Sequence, residues 1–375
     1  MSRGLVIVYD PHNLQQFLWY YATYAKDVQW DALCLPNGYK GTYMDAYCKK
    51  VGIFSNIFTG DKEYMSMPLS GKFKLFLDMF WHFITFRREK YCKKVLNEYV
   101  GDVDVYDELA CICDTGFVSG LLALLGKHKT VSYFDDGLGE YFPRPKWSSR
   151  YLKSFSLKLQ SVLLARMGYS CKGRIYFEPT KYCCKYSVFS DKMIYRNYKL
   201  MRDIDFSKTD MGLYDSLIEK AYPGLSEYDW DNIDVVFFTE DLDTYSSENY
   251  KKYGALCADY ISRKYPGKSV LLKKHPKDRC DYTFDESISV TELDSEIPAE
   301  IILSHLQGKK IVFVCFSSII LFMLSYGYEY ELLHMNELHQ ESIRPDKSAV
   351  HYSSSEEMKA KCERFSPGKY EIIEI

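Results

Sequence analysis

Three short stretches carry side chains that could do chemistry: Asp135-Asp136-Gly137 in YFDDGLGEY, Lys273-Lys274-His275-Pro276 in LLKKHPKD, and Ser317-Ser318 in VCFSSIILF. A carboxylate at the end of a strand can take a proton from a hydroxyl. Of two adjacent acids, one can be held by backbone N–H groups while the other points at a substrate. Gly137 lets the chain turn sharply and lets a ligand come close. His275 can donate to a phosphate oxygen or act as a general acid, and Pro276 stops the strand ladder beside it. Lys273 and Lys274 add positive charge. Serines at a strand-to-helix junction can cap the helix, and with its free N–H groups they form a phosphate cradle. Each stretch also has a plainer reading: an Asp-Asp-Gly turn, a loop His among solvated lysines, and an ordinary N-cap.

These residues gain weight from what precedes them. LVIVY, DALCLP, IFSNIF, DVDVYDE and TVSYF read as strands in the first part of the chain. NLQQFLWYYATYAK (Asn13 as cap), TYMDAYCKKVG, residues 72–100 and FVSGLLALLGK read as helices between them. A second run starts near Asp231, with strands IDVVFFTED, KSVLLKKHP and KKIVFVCFSS. Its helices are SSENYKKYGALCADYISRKY with a Ser cap, IPAEIILSHLQ with Pro298 in the first turn, SIILFMLSYG, and SSSEEMKAKCERF with a capping Ser. Alternation of this kind signals parallel sheets covered by helices. The polar, Tyr-rich region from about residue 181 to 228 reads as the connection, giving domains 1–228 and 229–375. All three reactive stretches then fall just after strands, where open α/β sheets bind ligands.

Composition narrows the class. The 375 residues are 47% hydrophobic with a net charge of -3, which fits a soluble globular chain with real cores and excludes a basic nucleic-acid binder. Twelve Cys include no Cys-x-x-Cys pair, so no zinc site is expected, and buried, reduced thiols in a cytosol are. The start MSRGLVIVYD lacks the features of a signal peptide, and no apolar run is long enough to span a bilayer.

Two successive Rossmann-like units facing a central cleft form the α/β GT-B arrangement of glycosyltransferases, shared with periplasmic binding proteins and some epimerases. The ordered set Asp-Asp-Gly, His-Pro and Ser-Ser resembles the motif set of bacterial sialyltransferases. Those are inverting, metal-independent GT-B enzymes that use CMP-sialic acid. The motifs cover roughly half the chain, and they do not separate lipooligosaccharide sialyltransferases from capsular polysialyltransferases. The resemblance implies Asp136 as general base, Asp135 as its structural support, and His275 on the CMP phosphate, with Ser317 and Ser318 binding that same phosphate. Lys273 resembles a basic position near the nucleotide, and Glu300 lies where such enzymes place an acid for the ribose hydroxyls. Pro276 and Gly137 join the donor-site set, as do Thr239 and Glu240, which follow the strand VVFF. His12 and Asn13, after the first strand, could touch donor sugar or acceptor.

The resemblance implies no cofactor and no metal. The pairs Asp102/Asp104 and Asp241/Asp243 look like a metal-binding Asp-x-Asp and are read as incidental. Expected partners are a CMP-sugar donor and a glycan acceptor in a cytoplasmic enzyme, with no nucleic acid. The apolar-then-basic stretch of residues 75–94 leaves peripheral contact with the inner membrane open, and a homodimer is also left open. The alternatives are an enzyme of another CMP-ulosonic acid such as CMP-Kdo, and a non-catalytic glycan- or nucleotide-binding GT-B protein.

Overall fold

A computed structural model describes residues 2–35, 44–60, 81, 87–112, 117–135, 141, 181–193, 198–240, 249–295, 297–335 and 354–375. The chain divides into two compact units between Leu225 and Ser226. The sequence reading puts that seam after residue 228.

The first unit holds β1 (Arg3–Val8), β2 (Gln29–Cys34), β3 (Phe54–Thr59), β4 (Glu108–Cys111), β5 (Thr130–Tyr133), β6 (Cys184–Ser187) and β7 (Leu200–Asp203). They form one sheet in the order β3-β2-β1-β4-β5-β6-β7, with every pairing parallel. Helices α1 (Pro11–Tyr20), α2 (Asp45–Val51), α3 (Arg88–Val100), α4 (Phe117–Leu122) and α5 (Met211–Ala221) lie between the strands. The second unit holds β8 (Val235–Phe238), β9 (Ser269–Lys273), β10 (Ser289–Leu293), β11 (Lys310–Phe313), β12 (Tyr330–His334) and β13 (Tyr370–Glu374), again all parallel, in the order β10-β9-β8-β11-β12-β13. Its helices are α6 (Tyr250–Lys264), α7 (Ser318–Ser325) and α8 (Ser355–Phe365).

Numbered within its own unit, each sheet runs 3-2-1-4-5-6, the doubly wound order, and the first adds a seventh strand. Central strands such as Val235–Phe238 are buried along their whole length, as a sheet covered on both faces requires. Helix α6 buries Tyr253, Cys257, Ala258 and Ile261, one stripe at helical spacing, against a core that includes Phe237, Val270 and Leu272. Gly254 in that stripe lets the loop after β9 come close, since a Cβ there would sit 3.0 Å from the Cys280 Cβ. Among the described residues no helix is long and apolar enough to cross a membrane.

Several local expectations need correction. Asp10, not Asn13, caps α1: its side chain accepts the Asn13 N–H at 2.9 Å, and Pro11 takes the first helical position. The strand expected from Asp102 begins only at Glu108, because the Asp102 carboxylate accepts the Asp104 N–H and closes a 3-10 turn over Val103–Val105. Residues 181–228 are not merely a connection; they supply β6, β7 and α5. Asn249, with no side-chain cap bond, precedes α6 in place of a serine. Ala299–His305 is a 3-10 helix with Pro298 at its cap position. Strands β10 and β13, the edges of the second sheet, went unread, as did the mostly buried β12. Of the long helix expected over residues 72–100, the described part is α3, and most of the remainder lies outside the described residues.

Candidate active site

The doubly wound order creates a switch point in the second unit: β9 lies to one side of β8 and β11 to the other. Beyond the carboxyl ends of such strands the sheet leaves a crevice for ligand. Thr239 and Glu240 directly follow β8, His275 comes two residues after β9, and Cys315 to Ser318 lead from β11 into α7. Sequence spacing alone thus delivers five of the expected positions, Thr239, Glu240, His275, Ser317 and Ser318, to one edge.

Hydrogen bonds fix the His275 ring. The backbone N–H of His275 donates to Thr239 Oγ1 at 3.1 Å, and the Lys277 N–H donates to His275 Nδ1 at 3.2 Å. Because Nδ1 accepts, the neutral ring carries its proton on Nε2. That nitrogen lies 3.7 Å from Glu240 Oε1. The other Glu240 oxygen takes the Cys315 thiol at 3.4 Å. Thr239 in turn donates its one hydroxyl proton to Asp278, which also accepts from the Tyr282 hydroxyl at 2.7 Å and the Cys280 N–H at 2.9 Å. Pro276 is exposed next to this turn.

Lys273 behaves differently from its expected role. It is 4% exposed, and its ammonium donates to the carbonyls of Lys274, Asp294 and Ser295 at 3.1, 3.3 and 3.2 Å. Three donors meet three acceptors. Burial pushes its pKa down to about 8, against the opposing pull of Glu300, Asp294 and Glu292. The side chain ties β9 to the segment after β10. Glu300 is half-buried in the 3-10 helix, near enough to act on that ammonium.

Ser317 stands at the N-cap of α7 with extended backbone (φ -119°, ψ 167°), yet its hydroxyl makes no cap bond. Ser318 opens the helix, and both serines are partly exposed. In the first turn of α7 the Ile320 N–H donates to the Ser317 carbonyl at 3.2 Å. The N–H groups that open a helix carry its positive dipole end, so two hydroxyls there suit an oxyanion.

In the first unit Asp135 is fully buried after β5. One of its oxygens accepts from the Tyr141 hydroxyl and, at 3.1 Å, from the Val188 N–H. The Gln16 amide donates to the Asp135 carbonyl at 2.8 Å and to His12 Nε2 at 2.7 Å. The fully buried Lys185 donates to the Phe134 carbonyl at 2.5 Å. Asp135 therefore sits as a held, structural carboxylate. Asp136 and Gly137 lie outside the described residues. Asn13, 4% exposed, is taken up within its own junction: its Oδ1 accepts the Tyr9 N–H at 3.1 Å and its Nδ2 meets Asp10 at 2.6 Å.

A family model for glycosyltransferase family 52 matches residues 118–330, more than half of the chain. The chain belongs to that family. Family 52 is a bacterial sialyltransferase family, so this is a glycosyltransferase of GT-B fold that takes a nucleotide-sugar donor and a glycan acceptor. Solved structures that resemble the family 52 chain include MurG of Acinetobacter baumannii, with TM-score 0.44 and 10% identity over 100% of this chain and 86% of that one. UDP-GlcNAc 2-epimerase from Neisseria meningitidis bound to UDP-GlcNAc gives 0.45 and 13% over 97% and 91%. Arabidopsis thaliana UGT89C1 complexed with UDP gives 0.45 and 10% over 98% and 91%. No curated protein matches the chain.

Sequence reading of this family 52 chain missed Asp278, Tyr282, Gln16 and Lys185. Asp278 had a signal, since an Asp three residues after His275 in HPKD can close a turn. Gln16 and Lys185 had none, being polar residues inside a helix and a strand. The Asp102/Asp104 pair is structural: Asp102 holds its turn, and Asp104 pairs with Lys93 at 2.9 Å. Asp241 and Asp243 lie outside the described residues.

Proposed function

We propose that the chain moves sialic acid from CMP-sialic acid to a hydroxyl of an acceptor glycan, lipooligosaccharide or capsular polysaccharide, with inversion and without a metal ion or other cofactor. The observation that supports this best is the His275 imidazole, held at Nδ1 so that its proton lies on Nε2, on the same strand-end edge as Glu240, Ser317 and Ser318. Asp136 takes the proton of the acceptor hydroxyl. The freed oxygen attacks the anomeric carbon while the bond from that carbon to the phosphate oxygen breaks. CMP departs with an added negative charge. The Nε2–H of His275, the two serine hydroxyls and the first-turn N–H groups of α7 meet that charge, an interaction that strengthens toward the transition state. Glu300 takes the ribose hydroxyls. The apolar-then-basic residues 75–94 support contact with an anionic membrane face that presents a lipid-linked acceptor.

The test incubates the protein with CMP-sialic acid and a galactoside, with CMP-Kdo as the parallel donor and EDTA in a third arm. Sialylated galactoside of inverted configuration, formed equally with EDTA and lost in Asp136→Ala, is expected. CMP binding without release from either donor overturns the proposal in favour of an inert binder.

A further inference from the structure

We infer that Asp278, working through the Thr239 hydroxyl and braced by Tyr282, is the positioning residue for His275. The inference rests on the phosphate role proposed above for His275.

A carboxylate only accepts hydrogen bonds. The Thr239 proton must therefore point at Asp278, which turns the Thr239 lone pairs toward the His275 N–H. The direction of this relay is forced. Asp278 also reaches His275 by a second route, because its own backbone N–H donates to the His275 carbonyl at 2.8 Å. Both backbone groups of His275 thus end on Asp278 or on its partner. The remaining Asp278 bonds, from the Tyr282 hydroxyl at 2.7 Å and the Cys280 N–H at 2.9 Å, hold the carboxylate itself.

The brace reaches the core. The Tyr282 ring packs edge-on against Phe237 of β8 at 5.6 Å, and Cys280 is fully buried in the core cluster. The turn from His275 to Tyr282 is consequently pinned to both β8 and α6. With its backbone fixed and Nδ1 held by the Lys277 N–H, the imidazole presents Nε2 in one direction. A group that orients the hydrogen-bond donor meeting the departing phosphate is worth large factors in rate, since about 1 Å of misplacement can cost roughly 100-fold.

Thr239→Val keeps the side-chain shape and removes the hydroxyl, while Thr239→Ser restores it. With CMP-sialic acid and a galactoside, Thr239→Val should lose about 10- to 100-fold in kcat with donor KM moved far less. Thr239→Ser should stay within about threefold of the parent. In a His275→Ala background, Thr239→Val should cost nothing further, because the two act as one unit. An unchanged kcat in Thr239→Val, or an equal loss in the His275→Ala background, overturns the inference. Imidazole 15N NMR separates this from failure of the proposed reaction: His275 in the parent should show the Nε2–H tautomer, with mixed tautomers in Thr239→Val and Asp278→Asn. Absence of sialyl transfer by the parent counts against the proposed function alone. Parent-like imidazole signals in folded Thr239→Val or Asp278→Asn count against the positioning role, whatever the donor.

Discussion

Ser317 and Ser354 occupy the same place at the head of a helix, but only Ser354 uses its hydroxyl on the helix. The Ser354 Oγ accepts the Glu357 N–H at 3.3 Å and the Glu357 carboxylate returns to the Ser354 N–H at 3.4 Å, a full capping box. Ser317 makes no such bond. Ser354→Ala should therefore cost about 1 kcal/mol of stability with unchanged kinetics. Ser317→Ala should leave stability within about 0.5 kcal/mol and raise donor KM. Urea denaturation and donor titration check both. A Ser317→Ala protein that loses stability but keeps its KM would make Ser317 an ordinary cap.

Gln16 bonds the carbonyl that leads into Asp136. That oxygen belongs to the rigid peptide plane shared by the two aspartates. Gln16→Met keeps the volume and loses the donor. It should lower kcat about 10-fold while donor KM, which the proposed function assigns to residues of the other unit, stays put. A rise in donor KM with constant kcat would contradict this.

Lys273 links pH to stability. Its pKa is about 8 in the folded chain, held down by burial, against about 10.4 when unfolded. Between those values the unfolded chain binds the proton that the folded chain lacks, so this group's contribution to stability rises with pH. Below about pH 8 both states are charged and the burial cost is present in full. Lys273→Met has no such dependence. Melting temperatures of parent and Lys273→Met, compared at pH 7 and pH 10, should diverge in favour of the parent at the higher pH. A difference that ignores pH would show that the ammonium is not buried.

Asp31 serves the other end of its sheet. Fully buried on β2, it accepts from Arg3 at 2.8 Å, the Tyr106 hydroxyl at 2.8 Å, and Asn56 N–H and Nδ2 at 3.0 and 3.1 Å. Asp31→Ala leaves these donors without their acceptor and should destabilise the chain by about 3 kcal/mol. Its kcat and KM should remain those of the parent under conditions where it is folded.

Much of this arrangement is legible in one sequence because parallel strands buried on both faces write themselves as apolar runs. Val235–Phe238 and residues 311–313 are such runs, and the residues after them had to lie on one sheet edge. Edge strands are harder. Leu200–Asp203 and Ser289–Leu293 are largely exposed and polar, so the first reads as part of the connection of residues 181–228 and the second goes unread. Caps mislead where two polar residues compete: Asp10 and Asn13 both suit the start of α1, and Pro11 decides for Asp10. The expected nucleotide contact of Lys273 failed to foresee burial, since the carbonyls that hold it come from residues about twenty positions away. Nothing in a linear pattern reports that pairing.

Every described strand pairing is parallel, and none is a hairpin. Neighbouring strands can meet only after a long crossover has closed, so no pairing forms cheaply from adjacent chain. Folding is then dominated by distant contacts, which makes it slow and leaves apolar strands exposed while it proceeds. For this enzyme the rate at which active molecules appear should depend on temperature and chain concentration during synthesis as much as on the stability of the finished fold.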